Sequence, residues 1–393
     1  MHDLHNPYPY LASLRETSPV AQVADSSFYL VTSWDLVAEA VSRPADFSSN
    51  LTATMVWNPD GTVSAFPVAE LGSPIHALAT ADDPAHRRHR TIVMPSLTAK
   101  SIHGLTPFIT TRLSELWDKG LRDNTIDWVT AVAQRLPMAV VAEFVGLPTC
   151  DIDTLIRWAF GSTVLLDGVV SAENLSAAVE SVGEMATYLA DALAHEVRHP
   201  HDTAIGNLAQ HVVAGAIDQD TAVMILIQLV TAGAESTVSL LGSSVWLLGH
   251  NPHVVAGLRA DRRLVPRFVE EALRLESPFR GHYRHVTTDT TLGDVALQEG
   301  SHLYLSWAAA NRDPARYEDP DTILLDSENR GNHMAFGKGL HLCVGAALAR
   351  LEATTALNFL LDHTHSLVVG GDEPQWERSL LVRRLRSLEV SIQ

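Results

Sequence analysis

Apolar residues recur at three- and four-residue spacing through most of this chain, in runs separated by short polar or proline-bearing breaks. That period lets a helix turn one face inward, so helices dominate the reading. Strand-like runs are short: residues 28–32, 290–295, 302–305 and 387–392. The expectation is a mainly α protein with small β-sheets. Residues 50–84 are mixed and glycine-dotted, and they read as one extended loop. A loop of that length in a compact domain usually serves function.

One run departs from the amphipathic pattern. Residues 218–249 are apolar nearly all round, with Asp218 or Asp220 as cap and Asn251-Pro252 as stop. At ~1.5 Å per residue the helix reaches on the order of 45 Å, long enough to cross a domain. Apolar on every face, it belongs at the centre. Its middle reads Thr231-Ala232-Gly233-Ala234-Glu235-Ser236-Thr237. An acid and hydroxyls in a buried helix need partners or a task. A polar kink, with hydroxyls bonded back to the helix, is the structural explanation; proton chemistry is the functional one.

A second run, Phe336-Gly337-Lys338-Gly339-Leu340-His341-Leu342-Cys343-Val344-Gly345, lies directly before the helical stretch 346–361. Gly337 and Gly339 suit the positive φ of a tight turn. A thiolate at Cys343 would sit near a helix N-terminus and beside turned backbone N–H groups, which favours the ionised sulfur. Phe336 can shield that sulfur, and Gly345 lets the helix approach a flat partner. A buried core cysteine in a glycine-rich turn is the plainer alternative. A dinucleotide fingerprint is excluded, because Leu342 stands where its third glycine belongs.

At 393 residues, length alone suggests two or three domains. The only cysteines, Cys150 and Cys343, make no disulfide framework, as in a reducing cytoplasm. Residues 1–20 are polar, without the apolar core of a signal peptide or the span of a membrane anchor. A formal charge of −18 argues against nucleic-acid binding.

With Phe336, Gly337, Gly339, His341, Cys343 and Gly345 at their positions, the cysteine run resembles the haem-binding signature of the cytochromes P450. The resemblance extends from Asn6-Pro7-Tyr8-Pro9 to the C-terminal strands. It looks most like soluble bacterial members, with segments such as Ala45-Asp46-Phe47-Ser48-Ser49-Asn50 similar to actinobacterial ones. It implies a single domain over residues 1–393, with haem between the long central helix and the cysteine loop. Cys343 is then the metal ligand of heme b (iron protoporphyrin IX). Ala232, Gly233, Glu235 and Ser236 fall on the family's small-Gly-x-acid-Thr segment. There Gly233 would make room for dioxygen, and Glu235 with Ser236 would relay protons. Serine stands where threonine is usual, and Thr237 is the neighbour able to share the task. Glu271 and Arg274 match the family's Glu-x-x-Arg pair, which is structural. His86, Arg90, Arg284 and His341 match the partners of the haem propionates.

The implied reaction is a monooxygenation, using O2 and electrons from a ferredoxin and ferredoxin reductase, on a small apolar organic substrate. The substrate walls are expected from residues 50–81, 158–182, the central helix and 278–283, with Met55, Trp57 and Phe66 as apolar lining. Arg280 or His282 would meet a polar group on the substrate; the alternative is that both face solvent or the haem. Arg87, Arg88, Lys338 and Arg350 would form a basic patch for the electron donor.

Three other readings remain. His195-Glu196-Val197-Arg198-His199 matches the His-Glu-x-x-His of zinc metallopeptidases. However, Pro200 ends the helix at the second histidine, and Asp202 stands where the extended motif has glycine. A haem gas sensor would not need Glu235 and Ser236. A peroxide-driven haem peroxygenase would need an arginine near the helix kink; none lies between 231 and 237, which leaves Arg280.

Overall fold

A computed structural model describes residues 4–58, 60–167, 172–326, 331–370 and 374–392. The apolar run near the middle of the sequence forms one helix, Gln219–His250, of 32 residues. The Asp218 carboxylate accepts the Thr221 N–H and caps its start; Asn251 ends it, and Pro252 opens the next helix. Leu136–Val145, Ile152–Val164, Ala172–Arg198 and Ala346–His363 pack most extensively against it, joined by Val265–Leu275 and Ala204–Val213. Being apolar on every side, it must be surrounded, and the main hydrophobic core forms along it. Among the described residues it is the one helix long and apolar enough to cross a membrane, and more than half of its most apolar stretch is buried inside the protein.

A five-stranded sheet runs in the order Val20–Gln22, Phe28–Val31, His302–Ser306, Gly281–Val286, Phe47–Ser48. Phe28–Val31 and His302–Ser306 are parallel; the other neighbours are antiparallel. His302–Ser306 is buried along its whole length, as expected for a strand flanked on both edges. It holds Gly281–Val286 in register, with Leu303 opposite Arg284, so this sheet fixes where Arg284 stands.

The strand expectations hold at 28–32 and 302–305. The run 290–295 instead folds as a hairpin, Thr290–Leu292 with Val295–Leu297, turning at Gly293 with φ +54°. The last strand begins later than 387, at Glu389, and is central in a three-stranded sheet with Leu367–Val369 and Thr125–Asp127. The loop expected over 50–84 contains a β-hairpin, Ala53–Trp57 paired with Val63–Pro67, and two short 3-10 turns. The two missed strands, Ala53–Trp57 and Val63–Pro67, are five residues each and do not alternate apolar with polar positions, so they carry no period to distinguish strand from loop.

Candidate functional site

The cysteine loop has the expected turn geometry. Gly337 and Gly339 adopt φ of +69° and +71°, values that side chains resist. The Gly337 N–H donates to Met334 O at 2.8 Å, and the Cys343 N–H to Phe336 O at 2.9 Å. The helix Ala346–His363 then begins at Gly345. The Cys343 thiol is exposed, yet burial pushes its pKa up, against the Gly345 N–H, Arg90, Arg350 and the Ala346 N–H. The stabilising groups anticipated for a thiolate are present, but desolvation outweighs them in the protein alone. A group both exposed and deep faces an internal opening. Gly345 borders that opening: a Cβ built on it would meet only the Cys343 sulfur within 4 Å, at 3.9 Å. Phe336 is half-buried, with the Arg350 guanidinium 4.5 Å from its ring centre.

Basic side chains from three elements converge beside this loop. The His86 and His341 rings lie 4.1 Å apart. Arg90 Nη1 donates to Leu342 O at 2.8 Å, which joins its helix, Ala85–Val93, to the cysteine loop. Arg284 is buried, with Nη1 donating to the carbonyl of the adjacent Tyr283 at 2.7 Å. Burial holds its pKa down to about 10. His341 is held down to about 3, first by burial and then by Arg284, His86, Arg90 and His282. Burial is the main cause, with the neighbouring basic groups adding to it, so His341 is neutral and serves as a hydrogen-bonding group. A pair of haem propionates would give the buried Arg284 the anionic acceptors that a backbone carbonyl is not. An exposed sulfur in the loop and basic donors beside it fit haem.

On the central helix, Ala232 is exposed, Gly233 and Ser236 are half-exposed, and Glu235 and Thr237 are buried. The helix therefore opens one face at its middle. Ser236 Oγ donates to Ala232 O at 2.6 Å, a back-bond that holds the hydroxyl on that open face. Thr237 is 3 % exposed, roughly 100° further round the helix, so it is not brought to the same opening. A Cβ at Gly233 would lie 2.7 Å from Val141 Cγ2, so glycine there lets the central helix approach Leu136–Val145. Glu235 is fully buried between Arg384 and Thr163. Arg384 Nε donates to Oε1 at 2.8 Å, and Thr163 Oγ1 donates to Oε2 at 3.0 Å. Burial raises its pKa, and Arg384 opposes the rise.

The Glu271–Arg274 pair forms as expected, 3 % and 1 % exposed at its two side chains, with N–O 2.7 Å. Arg274 also donates to the carbonyls of Asn311, Pro320 and Thr322, tying down the segment that leads to the cysteine loop.

Other expected groupings come apart. Arg280 is buried, donating to Ser379 O and Leu4 O at 2.8 Å each, so it joins the two ends of the chain and is not presented to a substrate or a peroxide carboxylate. His282 is exposed on its strand, with its ring 5.5 Å from Phe279 and 6.0 Å from Trp307, and its pKa is held down to about 4, so it is neutral. Glu196 accepts from both the backbone N–H and the ring of His201 at 2.9 Å, and no described cluster of residues suits a metal, so the peptidase arrangement is not assembled. In the basic patch, Arg87 pairs with Asp83, and Arg350 with Glu270; Arg88 and Lys338 stay exposed. Met55 and Trp57 pack with Tyr283 and Tyr304 against the sheet. Phe66 is half-buried, and residues 168–171 of the expected substrate wall lie outside the described residues. Arg384 and Thr163 were not legible in the sequence, since no motif links positions 149 and 72 residues from Glu235.

Comparison with known proteins places these features in a family. The sequence profile of the family described as Cytochrome P450 matches residues 207–384. Cytochrome P450 144 of Mycobacterium tuberculosis is 46 % identical over 390 residues, covering 99 % of this chain and 90 % of that protein. The 6-deoxyerythronolide B hydroxylase of Saccharopolyspora erythraea is 30 % identical over 400 residues, covering 98 % and 96 %. The crystal structure of cytochrome P450 CREJ in complex with (4-ethylphenyl) dihydrogen phosphate superposes with a TM-score of 0.92 at 26 % identity, covering 100 % of this chain and 98 % of that one.

Proposed function

The chain belongs to the cytochrome P450 family of haem-thiolate monooxygenases, and on that premise we propose that it binds heme b, takes electrons from a ferredoxin and its reductase, and inserts one oxygen atom of O2 into an apolar organic substrate. Residues 1–393 act as one domain in the cytoplasm.

In this reading Cys343 ligates the iron through its thiolate. His86, Arg90, Arg284 and His341 hold the propionates. Phe336, Gly337 and Gly345 of the cysteine loop, and Ala232 and Gly233 of the central helix, would help to hold the haem. Bound haem supplies dioxygen activation, which no side chain provides. The protein's own part is to exclude water, orient the substrate and move protons. Ser236 presents its hydroxyl on the open face of the central helix and passes a proton into the pocket. Glu235 resupplies it from the other side. Arg88 and Lys338, exposed near the cysteine loop, steer an acidic electron donor against the overall negative charge.

The observation that carries this reading is the exposed Cys343 sulfur in its glycine-turned loop, with the buried Arg284 and with Arg90, His86 and His341 beside it. The experiment is a carbon monoxide difference spectrum of the reduced, haem-loaded protein. The expected band is that of thiolate ligation, and its absence under gentle conditions would sink the assignment. A ligand screen for spin-state shifts should then return predominantly apolar molecules.

A further inference from the structure

The hairpin Ala53–Trp57 with Val63–Pro67 falls in the stretch expected to wall the substrate. Its polar attachments to the rest of the chain differ in strength. Thr54 Oγ1 donates to Leu165 O at 3.3 Å, where the helix Ile152–Val164 ends, and the Met55 N–H donates to the Tyr283 hydroxyl at 3.4 Å. Both are long for hydrogen bonds. At the base, Thr52 O accepts the Val68 N–H at 2.9 Å and closes the hairpin. The Thr52 hydroxyl then reaches the five-stranded sheet, 2.8 Å from His302 Nε2 and 3.2 Å from His285 Nδ1.

The two histidines stand opposite each other on adjacent strands, with ring centres 5.3 Å apart, so one hydroxyl meets both. Phe28, opposite His302 on its other side, stacks on the His302 ring at 4.9 Å. This packing decides where the hydrogens are. His302 Nδ1 is buried without a partner. A hydrogen there would be an unpaired buried donor, which proteins avoid more strictly than an unmatched lone pair. The hydrogen is therefore on Nε2 and is given to Thr52 Oγ1. Thr52 has one hydrogen to give, and it goes to His285 Nδ1.

The resulting chain, His302 to Thr52 to His285, needs both rings neutral. A proton added at His285 Nδ1 sets two donors against the Thr52 oxygen. A proton added at His302 Nδ1 places a charge where nothing accepts it. Burial first, and then His285, hold the His302 pKa down to about 4. A folded value below the ordinary 6.5 means that the fastening is complete above about pH 6.5 and is lost as pH falls toward about 4. The other groups around the pair do not offset this. On the next strand Ser48 stands opposite His285 and gives its hydroxyl to Asp82, which also accepts the Ser49 N–H at 2.9 Å. Arg284 precedes His285 in the strand and so belongs to the opposite face. The strand on the far side contributes the uncharged Phe28, and the hairpin base the uncharged Thr52.

We propose that Thr52, shared between His285 and His302, is a positioning residue that fastens the substrate-wall hairpin to the sheet, and that protonation of this histidine pair unfastens the hairpin and opens the pocket. The opening half of this inference rests on the reading above, in which haem lies in a pocket that admits an apolar substrate. The fastening half is independent of it.

The test is hydrogen–deuterium exchange of the haem-loaded enzyme at about pH 7.5 and about pH 5, with each rate divided by the intrinsic rate at that pH. With His302 near 4 when fastened and near 6.5 when free, protection of the hairpin amides should fall roughly 10- to 30-fold at the lower pH. Amides of the central helix should keep theirs. His302→Gln can still donate to Thr52 but does not titrate, so it should flatten the fall. Thr52→Val should leave the hairpin weakly protected at both pH values, and Thr52→Ser should restore the wild-type pattern. The second readout is the association rate of n-butyl isocyanide, a neutral probe, with the reduced haem. That rate should rise several-fold from the higher to the lower pH in the wild type, stay level in His302→Gln and be fast throughout in Thr52→Val.

Equal hairpin protection at the two pH values, or a fall that persists undiminished in His302→Gln, overturns the proposal. So does a fall in protection with no change in the isocyanide rate. If His302→Gln does not fold, the threonine variants decide, and wild-type protection of Thr52→Val at the higher pH counts against it. If the protein forms no haem adduct with the isocyanide, the haem reading falls by itself, and exchange in the haem-free chain still decides whether Thr52 fastens the hairpin.

Discussion

His86 and His341 bring their rings to 4.1 Å from helix and loop positions 255 residues apart, and Arg284 and Arg90 bear on the same spot. Two arginines and two imidazoles converging on one spot suit the holding of an anion. Replacing Arg284 with alanine removes a buried charge-assisted donor, with an expected loss of roughly 1.5–3 kcal/mol of haem affinity. Haem transfer to an apo-globin acceptor measures it as an approximately 10- to 100-fold faster loss. Unchanged transfer would show that Arg284 serves the sheet alone.

Cys343→Ala should fold and should lose the carbon monoxide band of thiolate ligation, because the side chain removed is exposed. Cys150→Ala, exposed and remote from the loop in sequence, should keep that band.

Ser236→Ala should lower coupled turnover roughly tenfold or more, below or within the lower range of general acid–base contributions. Thr237→Ala should not, since that side chain is buried on another face of the helix. Equal effects of the two substitutions would return the relay to Thr237.

Gly233→Ala places a Cβ 2.7 Å from Val141 Cγ2, a contact that forces a shift. The expected cost is about 1–3 kcal/mol in chemical denaturation. Val141→Ala in the same chain should recover most of it, whereas no recovery would place the strain elsewhere.

Glu270 gives the clearest pH dependence. Burial raises its pKa, but hydrogen bonds from Arg350 and His333 more than reverse this and hold it down to about 2. A folded pKa below the ordinary 4.5 means stability that is fully present above about pH 4.5 and lost as pH falls through about 2. Arg350 is 39 % exposed, so solvent weakens the pair. Glu270→Gln should therefore cost roughly 1–2 kcal/mol at pH 7. Denaturation at pH 7 and near pH 2 tests this, and the difference from wild type should shrink at the lower pH.

Much of the site is legible in the amino-acid sequence. The glycines of the cysteine loop, Glu271 with Arg274, and the cap and stop of the central helix all depend on neighbours within a few residues. Backbone sterics and helical period act over that range, so type and spacing suffice. Residues 50–84 failed as a loop because their two short strands lack alternation and take their register from each other. Arg280 failed as a substrate contact because its acceptors, at Leu4 and Ser379, lie at opposite ends of the chain.

By itself the sequence determined the helices, the turn that presents Cys343 and the identity of the family. These follow from short-range periodicity, φ preferences and a motif of fixed spacing. Tertiary structure alone decided which face of the central helix opens, what Gly233 packs against and which arginine meets Glu235. Each of these depends on where segments more than 70 residues apart come to rest. Local chemistry carries no record of such approaches, because they are set by how helices apolar on one side fill a shared core.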